Sequence, residues 1–466
     1  MTKQEAVIKY IEDNYLQYNR LRHDVISDKL QLRMDVRSDR PVGCPKSDHF
    51  VARTGITLSD SLIPTANAIS VPTVGNANGL TSCSGAFSER ERSVWRELTK
   101  QDINSIVCHC AQEYNANITS REVITALQSD LIPDVHPLRE YVLSCQEWTK
   151  EQPDWIDFVA QQVKVKPSGE KAKGNKARGE ELWRACFKKW FVAMVASWMR
   201  DEIVNHQVLV LIGRQGIYKT TWLEHLIPPQ LRAYACKLAN SNELNKDERL
   251  RIAEFGLISL DEIDSMNNRE LNQLKSIITS TDINERAAYA YTKERRVRLA
   301  SFCASGNRRD FLTDITGNRR WLPFEVESIQ NPFYTILPYD RMYAQAWALA
   351  QDPLFSYWFD LDEIEILEQH NQHFRDESNE EQLIDVYFAV PAEGAQNAKF
   401  LTTAEISERL IYFGNIKRPL TLSRLGVLLG QKGFVSVRRG TPCRRGWLIY
   451  ERDNEEVNSD RKLLAK

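Results

Sequence analysis

The chain alternates between stretches whose apolar residues recur at helical spacing and short runs that are apolar at every position. Ala6, Val7, Tyr10, Ile11 and Tyr15 share one helical face, and the segments Asn19–Ile26 and Lys29–Arg33 predict a hairpin turned at Ser27-Asp28. Helical spacing returns over about 102–113, 120–128 and 138–147. A longer helix, about 180–201, offers Trp183, Phe187, Trp190, Phe191 and Val195 for packing. Two later runs differ in kind: Val208–Ile212 is apolar throughout and Leu257-Ile-Ser-Leu260 is apolar but for one small serine, as expected of strands buried on both faces of a parallel sheet. A helix over 267–279 follows, with Leu271, Leu274, Ile277 and Ile278 as its core face. Residues 284–291 and 297–304 then predict a hairpin with a polar tip, Thr292–Arg296, feeding a third central strand that ends at Ser305-Gly306-Asn307. Further helices are predicted at about 339–351 and 376–388. Helices over 403–413 and 421–432, with strands over 434–439 and 445–450, have the order of a winged helix.

Two stretches break this pattern. From about Ser38 to Ser88 the chain is rich in Ser, Thr, Pro, Gly and Asn, too poor in large apolar residues to hold a core, and reads as a flexible insertion. Residues 164–179 are basic and nearly free of large apolar side chains, and read as a linker. The expected organisation is an N-terminal α+β region (1–163), the linker, an α/β core (180–330), a helical extension (331–390) and a winged-helix-like domain (391–466).

Composition narrows the class without naming a chemistry. A chain of 466 residues with 27% charged and 42% hydrophobic residues is ordinary for a soluble protein of about three domains. Its net charge of −2 means that any contact with nucleic acid must come from local basic patches. The region from Lys399 to Tyr450 is one, with ten Lys or Arg against two Glu. The longest apolar stretch, Trp190–Met199, is too short to span a bilayer, and the first residues carry no signal-peptide core. Nine cysteines without a paired framework make the cytoplasm the default location. Cys108-His109-Cys110 reads as packed thiols rather than a zinc site, because no second pair follows at finger spacing.

Chemistry concentrates between residues 213 and 320. Gly213-Arg-Gln-Gly-Ile-Tyr-Lys-Thr220 joins an apolar strand to a helix, the layout of a loop whose amides cradle a polyphosphate. Gly213, Gln215, Gly216, Tyr218, Lys219, Thr220 and Thr221 are the candidate ATP-binding residues, with Lys219 neutralising the phosphates and the Thr220 hydroxyl on Mg²⁺. Tyr218 stands where such loops usually have glycine, which bears on hydrolysis rate. The second strand ends in Asp261-Glu262, suited to a Mg²⁺-holding aspartate and a glutamate that orients the attacking water. Asn307 is placed to hydrogen-bond the γ-phosphate or that water. Arg319 or Arg320 is suited to stabilise the transferring phosphoryl group from a neighbouring subunit. Lys293, Arg295 and Arg296, with Tyr289 and Tyr291 nearby, suit contacts to single-stranded DNA.

These motifs, together with Leu260-Asp-Glu-Ile-Asp264, Leu274-Lys-Ser-Ile-Ile-Thr279, Glu285-Arg-Ala-Ala-Tyr289 and Thr316-Gly-Asn-Arg-Arg-Trp-Leu-Pro323, resemble the virulence-associated protein E family over about residues 95–330. That family is similar in turn to superfamily 3 helicases. The resemblance implies an AAA+-like P-loop ATPase of phages and other mobile elements, with ATP and Mg²⁺ as cofactors. It also implies a ring of identical subunits, six favoured, and roles for Lys219, Thr220, Asp261, Glu262 and Asn307 that agree with those above. The leading expectation is an ATP-dependent DNA helicase or translocase. The alternatives are a slow-hydrolysing nucleotide-gated regulator or defence protein, motivated by Tyr218, and a DNA-binding regulator acting through the winged helix. No paired-carboxylate element on a strand in residues 1–160 points to primer synthesis.

Overall fold

The structure, a computed structural model, describes residues 2–34, 94–166, 176–238, 252–285, 294–312, 318–375, 379–391, 398–414, 416, 419–439 and 443–452. They divide into two compact units, Met1–Pro137 and Leu138–Lys466.

In the first unit, helix α1 (Lys3–Ile11) starts at a capping box in which Thr2 and Glu5 each bond the other's backbone N–H, satisfying amides that have no helical partner. Its buried residues are Ala6, Val7, Tyr10 and Ile11, the face the spacing marked. Strands β1 (Leu21–Asp24) and β2 (Lys29–Met34) pair antiparallel across a turn where Asp28 adopts a left-handed conformation. Strand β3 (Val94–Glu97) joins the far side of β2, and β4 (Asp134–Val135) runs parallel to β1. Helices α2 (Lys100–Glu113) and α3 (Ser120–Leu127) carry capping boxes of their own at Thr99 and Thr119. Cys110 is buried in their core while Cys108 is exposed, so the two thiols lie on different faces. Most of the expected insertion, 38–88, falls between β2 and β3 and lies outside the described residues.

The second unit contains α4 (Pro137–Ser144), α5 (Trp155–Ala160), β5 (Val163–Val165), α6 (Lys176–Met199), β6 (Val208–Ile212) and α7 (Lys219–Glu224). Next come β7 (Ala235–Leu238), β8 (Leu257–Leu260), α8 (Asn268–Thr279), β9 (Asp282–Glu285), β10 (Glu294–Val297), β11 (Ser301–Gly306) and β12 (Trp321–Ile329). Six of these strands form one sheet in the order β5-β12-β6-β11-β8-β7. All neighbours from β12 to β7 are parallel, and β5 closes the edge antiparallel to β12. The linker expected at 164–179 therefore starts too early: Val163 and Val165 point into the core, Lys164 points out, and the alternation makes an edge strand. Residues 138–163, grouped with the N-terminal region from sequence, belong to this unit.

The C-terminal half of helix α6, 190–198, is buried on every side, and the indoles of the helix explain how. Trp190 and Trp198 donate Nε1–H to Phe302 O and Gly256 O, each at 3.1 Å, and Trp183 donates to Ala160 O at 2.9 Å. Each ring thus fills core volume and satisfies its one polar atom on the backbone of a neighbouring segment.

The predicted hairpin is displaced. Strands β9 and β10 pair from Asp282↔Val297 to Glu285↔Glu294, so Arg295 and Arg296 belong to the return strand rather than to a tip. Lys293 and the tyrosines lie outside the described residues.

Toward the C-terminus come α9 (Tyr339–Gln351), α10 (Leu361–Asn371), α11 (Asn379–Tyr387), β13 (Phe388–Ala389), β14 (Lys399–Leu401), α12 (Thr403–Gly414), α13 (Leu422–Gln431), β15 (Val435–Arg439) and β16 (Arg444–Glu451). Helix α10 and the short strands β13 and β14 were not anticipated. Strands β13, β14 and β15 all pair with β16. Ile384 of α11 and Phe388 share a core with Leu410, Leu428, Trp447 and Ile449, so this subdomain begins before the residue-391 boundary read from sequence.

Candidate functional site

The parallel register brings three remote segments to one edge of the sheet. Gly306 pairs with Ile212 and Ala304 with Leu260, so β6, β11 and β8 end almost level and release Gly213, Asn307 and Asp261 side by side. Gly213 must be glycine here, since a Cβ would meet Val326 O at 2.9 Å. The chain then turns through Gly216 at φ +83° and Tyr218 at φ 67° before α7 begins at Lys219. A tyrosine held left-handed costs on the order of 1–3 kcal/mol, which the surrounding structure must offset.

The side chains that meet at this edge form a connected network. Lys219 Nζ donates to Gly213 O at 2.8 Å, Arg214 O at 2.7 Å and Asn307 Oδ1 at 3.3 Å. The Thr220 and Ser305 hydroxyls donate to Asp261 Oδ1 at 3.0 and 2.6 Å, and they lie 3.0 Å from each other. Lys237, from the edge strand β7, pairs with Asp261 Oδ2 at 2.8 Å. Asp264 accepts from the backbone N–H of Asn307 and of Arg308, both at 3.2 Å, which fixes the turn carrying the Asn307 amide. Glu262 is exposed, adopts φ 52°, and stands on the cleft wall. The cleft has a volume of about 290 Å³, at the lower end for small-ligand sites. Gln215, Gly216, Tyr218, Thr221 and Gly306 complete its lining.

Burial pushes the Lys219 amine below its ordinary 10.5, and Asp264 and Asp261 pull it back only in part. Burial works against the charge on Asp261, but Lys237, Ser305 and Thr220 together outweigh it and hold the carboxyl below the usual range. The Lys237 amine is raised by that same hydrogen bond to Asp261. The cleft thus holds a buried ammonium and an ionised carboxylate, each with its own hydrogen-bond partners.

Of the residues singled out from sequence, Gln215, Gly216, Tyr218, Lys219, Thr220, Thr221, Asp261, Glu262 and Asn307 line the cleft, and Gly213 accepts from Lys219 just behind it. Arg319 and Arg320 are not brought to it. They precede Trp321, which pairs with Val208 at the start of β6, so they lie at the opposite end of the sheet from Lys219. Arg319 is exposed and Arg320 half-buried. Arg296, half-buried near the base of the hairpin, pairs with Glu254 at 3.6 Å instead of standing free. Ser305, Lys237 and Asp264 are site residues that the sequence reading did not single out. Asp264 had a signal, as the third acid of Asp261-Glu-Ile-Asp264, whereas Lys237 depends on a strand pairing far away in sequence.

Comparison with known proteins follows the same region. No curated protein matches the chain. Among solved structures, the apo structure of the NrS-1 C terminal region (305-718) is similar at a TM-score of 0.40 and 11% identity, covering 77% of this chain and 92% of that one. The A form apo structure of the same region gives 0.39 and 10%, covering 76% and 92%. No helix among the described residues is long and apolar enough to cross a membrane. The family model described as virulence-associated protein E-like domain matches residues 172–379, starting later than the motifs at 95 suggested and running on past 330. Over those residues, the chain is similar to the virulence-associated protein E-like domain.

Proposed function

We propose that this protein is an ATP-dependent DNA helicase or translocase serving replication of a phage or other mobile element, working as a ring of identical subunits with six favoured. One observation carries the reading: Lys219, Thr220, Asp261, Glu262 and Asn307, from three remote segments, converge on a single cleft at the carboxyl ends of β6, β8 and β11. That is the layout of a P-loop NTPase core, in which backbone amides and a lysine receive the triphosphate. The donor set fits Mg²⁺, which favours hard oxygens and binds through one or two carboxylates plus phosphate. Among the described residues no three His, Cys, Asp or Glu side chains converge on a metal, and phosphate oxygens and water would fill the rest of its shell. Thr220 and Asp261 would hold the ion, which when bound neutralises charge on the β- and γ-phosphates. Lys219 exchanges its two loop carbonyls for phosphate oxygens, Glu262 orients the attacking water, and Asn307 hydrogen-bonds the γ-phosphate or that water. Arg319 or Arg320, remote from this chain's own cleft, acts on the cleft of a neighbouring copy.

DNA contact has two candidate surfaces. One is the β9–β10 hairpin with Lys293, Arg295 and Arg296. The other is the pair β15–β16, read as the wing of a winged helix. There Arg438 faces Arg445 and Arg439 faces Arg444, and all four are exposed. Like charges directly across a ladder are destabilising until an anion lies between them, which favours phosphate as their partner.

Lys219→Ala and Glu262→Gln are expected to abolish DNA-stimulated ATP hydrolysis, measured as phosphate release; unchanged release from either variant removes the motor. A second reading, a slow nucleotide-gated switch, rests on the left-handed Tyr218. Steady-state turnover with and without single-stranded oligonucleotide separates the two, since only the motor accelerates strongly on DNA. Replacing Arg295 and Arg296 by Ala should weaken single-strand binding and flatten its salt dependence; equal affinity at every salt concentration rejects the hairpin.

A further inference from the structure

Beside the cleft, three large side chains of the segment after β12 face outward: Phe333, Tyr334 and Ile336 are 69%, 87% and 90% exposed. Phe333 is nevertheless held in place. Its ring stands edge-on to Tyr218 at 6.5 Å and 81°, and edge-on to His225 at 5.6 Å and 85°. Its backbone N–H donates to Asn331 Oδ1 at 3.0 Å, and Asn331 Nδ2 reaches the Tyr218 hydroxyl at 3.4 Å. His225 is anchored too: its Nδ1–H donates to Thr221 O at 2.7 Å, and its own carbonyl accepts from the Tyr339 hydroxyl at 2.7 Å. Tyr218, Phe333 and His225 therefore form a fixed aromatic ledge. It is continuous with the cleft through Tyr218, which belongs to both.

We propose that this ledge seats the base of the nucleotide, a purine stacked on the face of Phe333 with the near-perpendicular Tyr218 ring against its edge, while the triphosphate lies at Lys219. The inference rests on the nucleotide reading above and adds what that reading lacks, a site for the part of the ligand that is not phosphate. A nucleotide whose phosphates lie along the loop must lead its ribose and base out past one end of that loop, and an exposed apolar platform there is what a flat π-face requires. Base–aromatic stacking tolerates any base but grows with ring area, which favours purines. The tyrosine in place of glycine before Lys219 then has a use that compensates for its left-handed backbone.

The test compares Mg-ATP with Mg-tripolyphosphate in calorimetric titrations of the full chain. Phe333→Ala is expected to weaken ATP binding about tenfold or more, the loss of one stacked ring, and to leave tripolyphosphate affinity unchanged. Phe333→Trp should retain ATP affinity, and Lys219→Ala should lose both ligands. The proposal is overturned if Phe333→Ala binds ATP as the parent does, or if it loses ATP and tripolyphosphate equally. It is also overturned if the parent holds tripolyphosphate as tightly as ATP. A lower sedimentation coefficient for Phe333→Ala at unchanged ATP affinity assigns the ledge to a second copy of the chain instead. If the parent binds neither ligand, the nucleotide reading itself has failed.

Discussion

Lys219 and Arg298 are both buried cations, 7% and 0% exposed, and both donate to backbone carbonyls. Their surroundings separate them. Arg298 donates to the carbonyls of Ser280, Ala300, Asn205 and Ile278, tying α8 and the start of β11 to the segment before β6. Lys219 lines an open cleft, with Asp264 and Asp261 acting on its charge. Burial pushes the Arg298 guanidinium down to about 9, where it remains protonated at neutral pH. A buried charge alone therefore does not mark a reactive place. Chemistry is indicated where the carbonyl partners are replaceable and one side is open.

The sharpest way to break this contrast is to remove each cation. Arg298→Met leaves four carbonyls without their donor, at about 1–3 kcal/mol apiece if they stay unpaired, against the relief of burying one charge fewer. The net loss should be about 3 kcal/mol or more in urea denaturation, with nucleotide affinity of the folded fraction unchanged. Lys219→Met should be near neutral in stability yet lose the nucleotide; equal destabilisation by both variants would dissolve the distinction.

His370 provides the next test, as a buried titratable group with a structural role. Its Nε2–H donates to Pro323 O at 2.7 Å, and burial lowers its pKa from the ordinary 6.5 to about 4, opposed in part by that bond. The unfolded chain takes up a proton first as pH falls, so stability present above 6.5 is lost toward pH 4, about 3 kcal/mol in all. His370→Gln should flatten urea midpoints across that window, while Lys219→Met should leave the slope as it is.

The smallest expected effect lies at Lys237, whose ammonium pairs with Oδ2 of Asp261, the carboxylate proposed to hold Mg²⁺. It is 45% exposed, so the pair contributes little to stability. Lys237→Ala should raise Mg²⁺ affinity by about fivefold at most, read from Mg²⁺ titration of nucleotide binding. Weaker Mg²⁺ binding would show that Lys237 supports the site instead of competing for it.

How far the sequence revealed this arrangement depended on locality. Strands β6 and β8 were legible because all but Ser259 of their residues are apolar, and Lys219, Thr220, Asp261 and Glu262 because each lies within a few residues of such a run. Strand β12 was not, since Pro323 and two glutamates interrupt it. It tolerates the proline because β5 pairs only with Val326, Ser328 and Ile329, so the missing N–H faces no ladder partner on that side. The contacts of Lys237 and Arg298 are set by tertiary neighbours, and no local spacing encodes them. Arg296, read from sequence as a DNA contact, also pairs with Glu254, a partner that no local spacing encodes.

The level endings of β6, β8 and β11 make the whole edge behave like a ruler cut from three separate lengths of chain. Adding one residue inside any of these strands would turn its final side chain to the opposite face and uncouple Thr220, Asp261 and Ser305 from one another. Transplanting the 213–220 loop alone into a foreign scaffold should therefore yield a phosphate cradle with no means of cleaving what it holds.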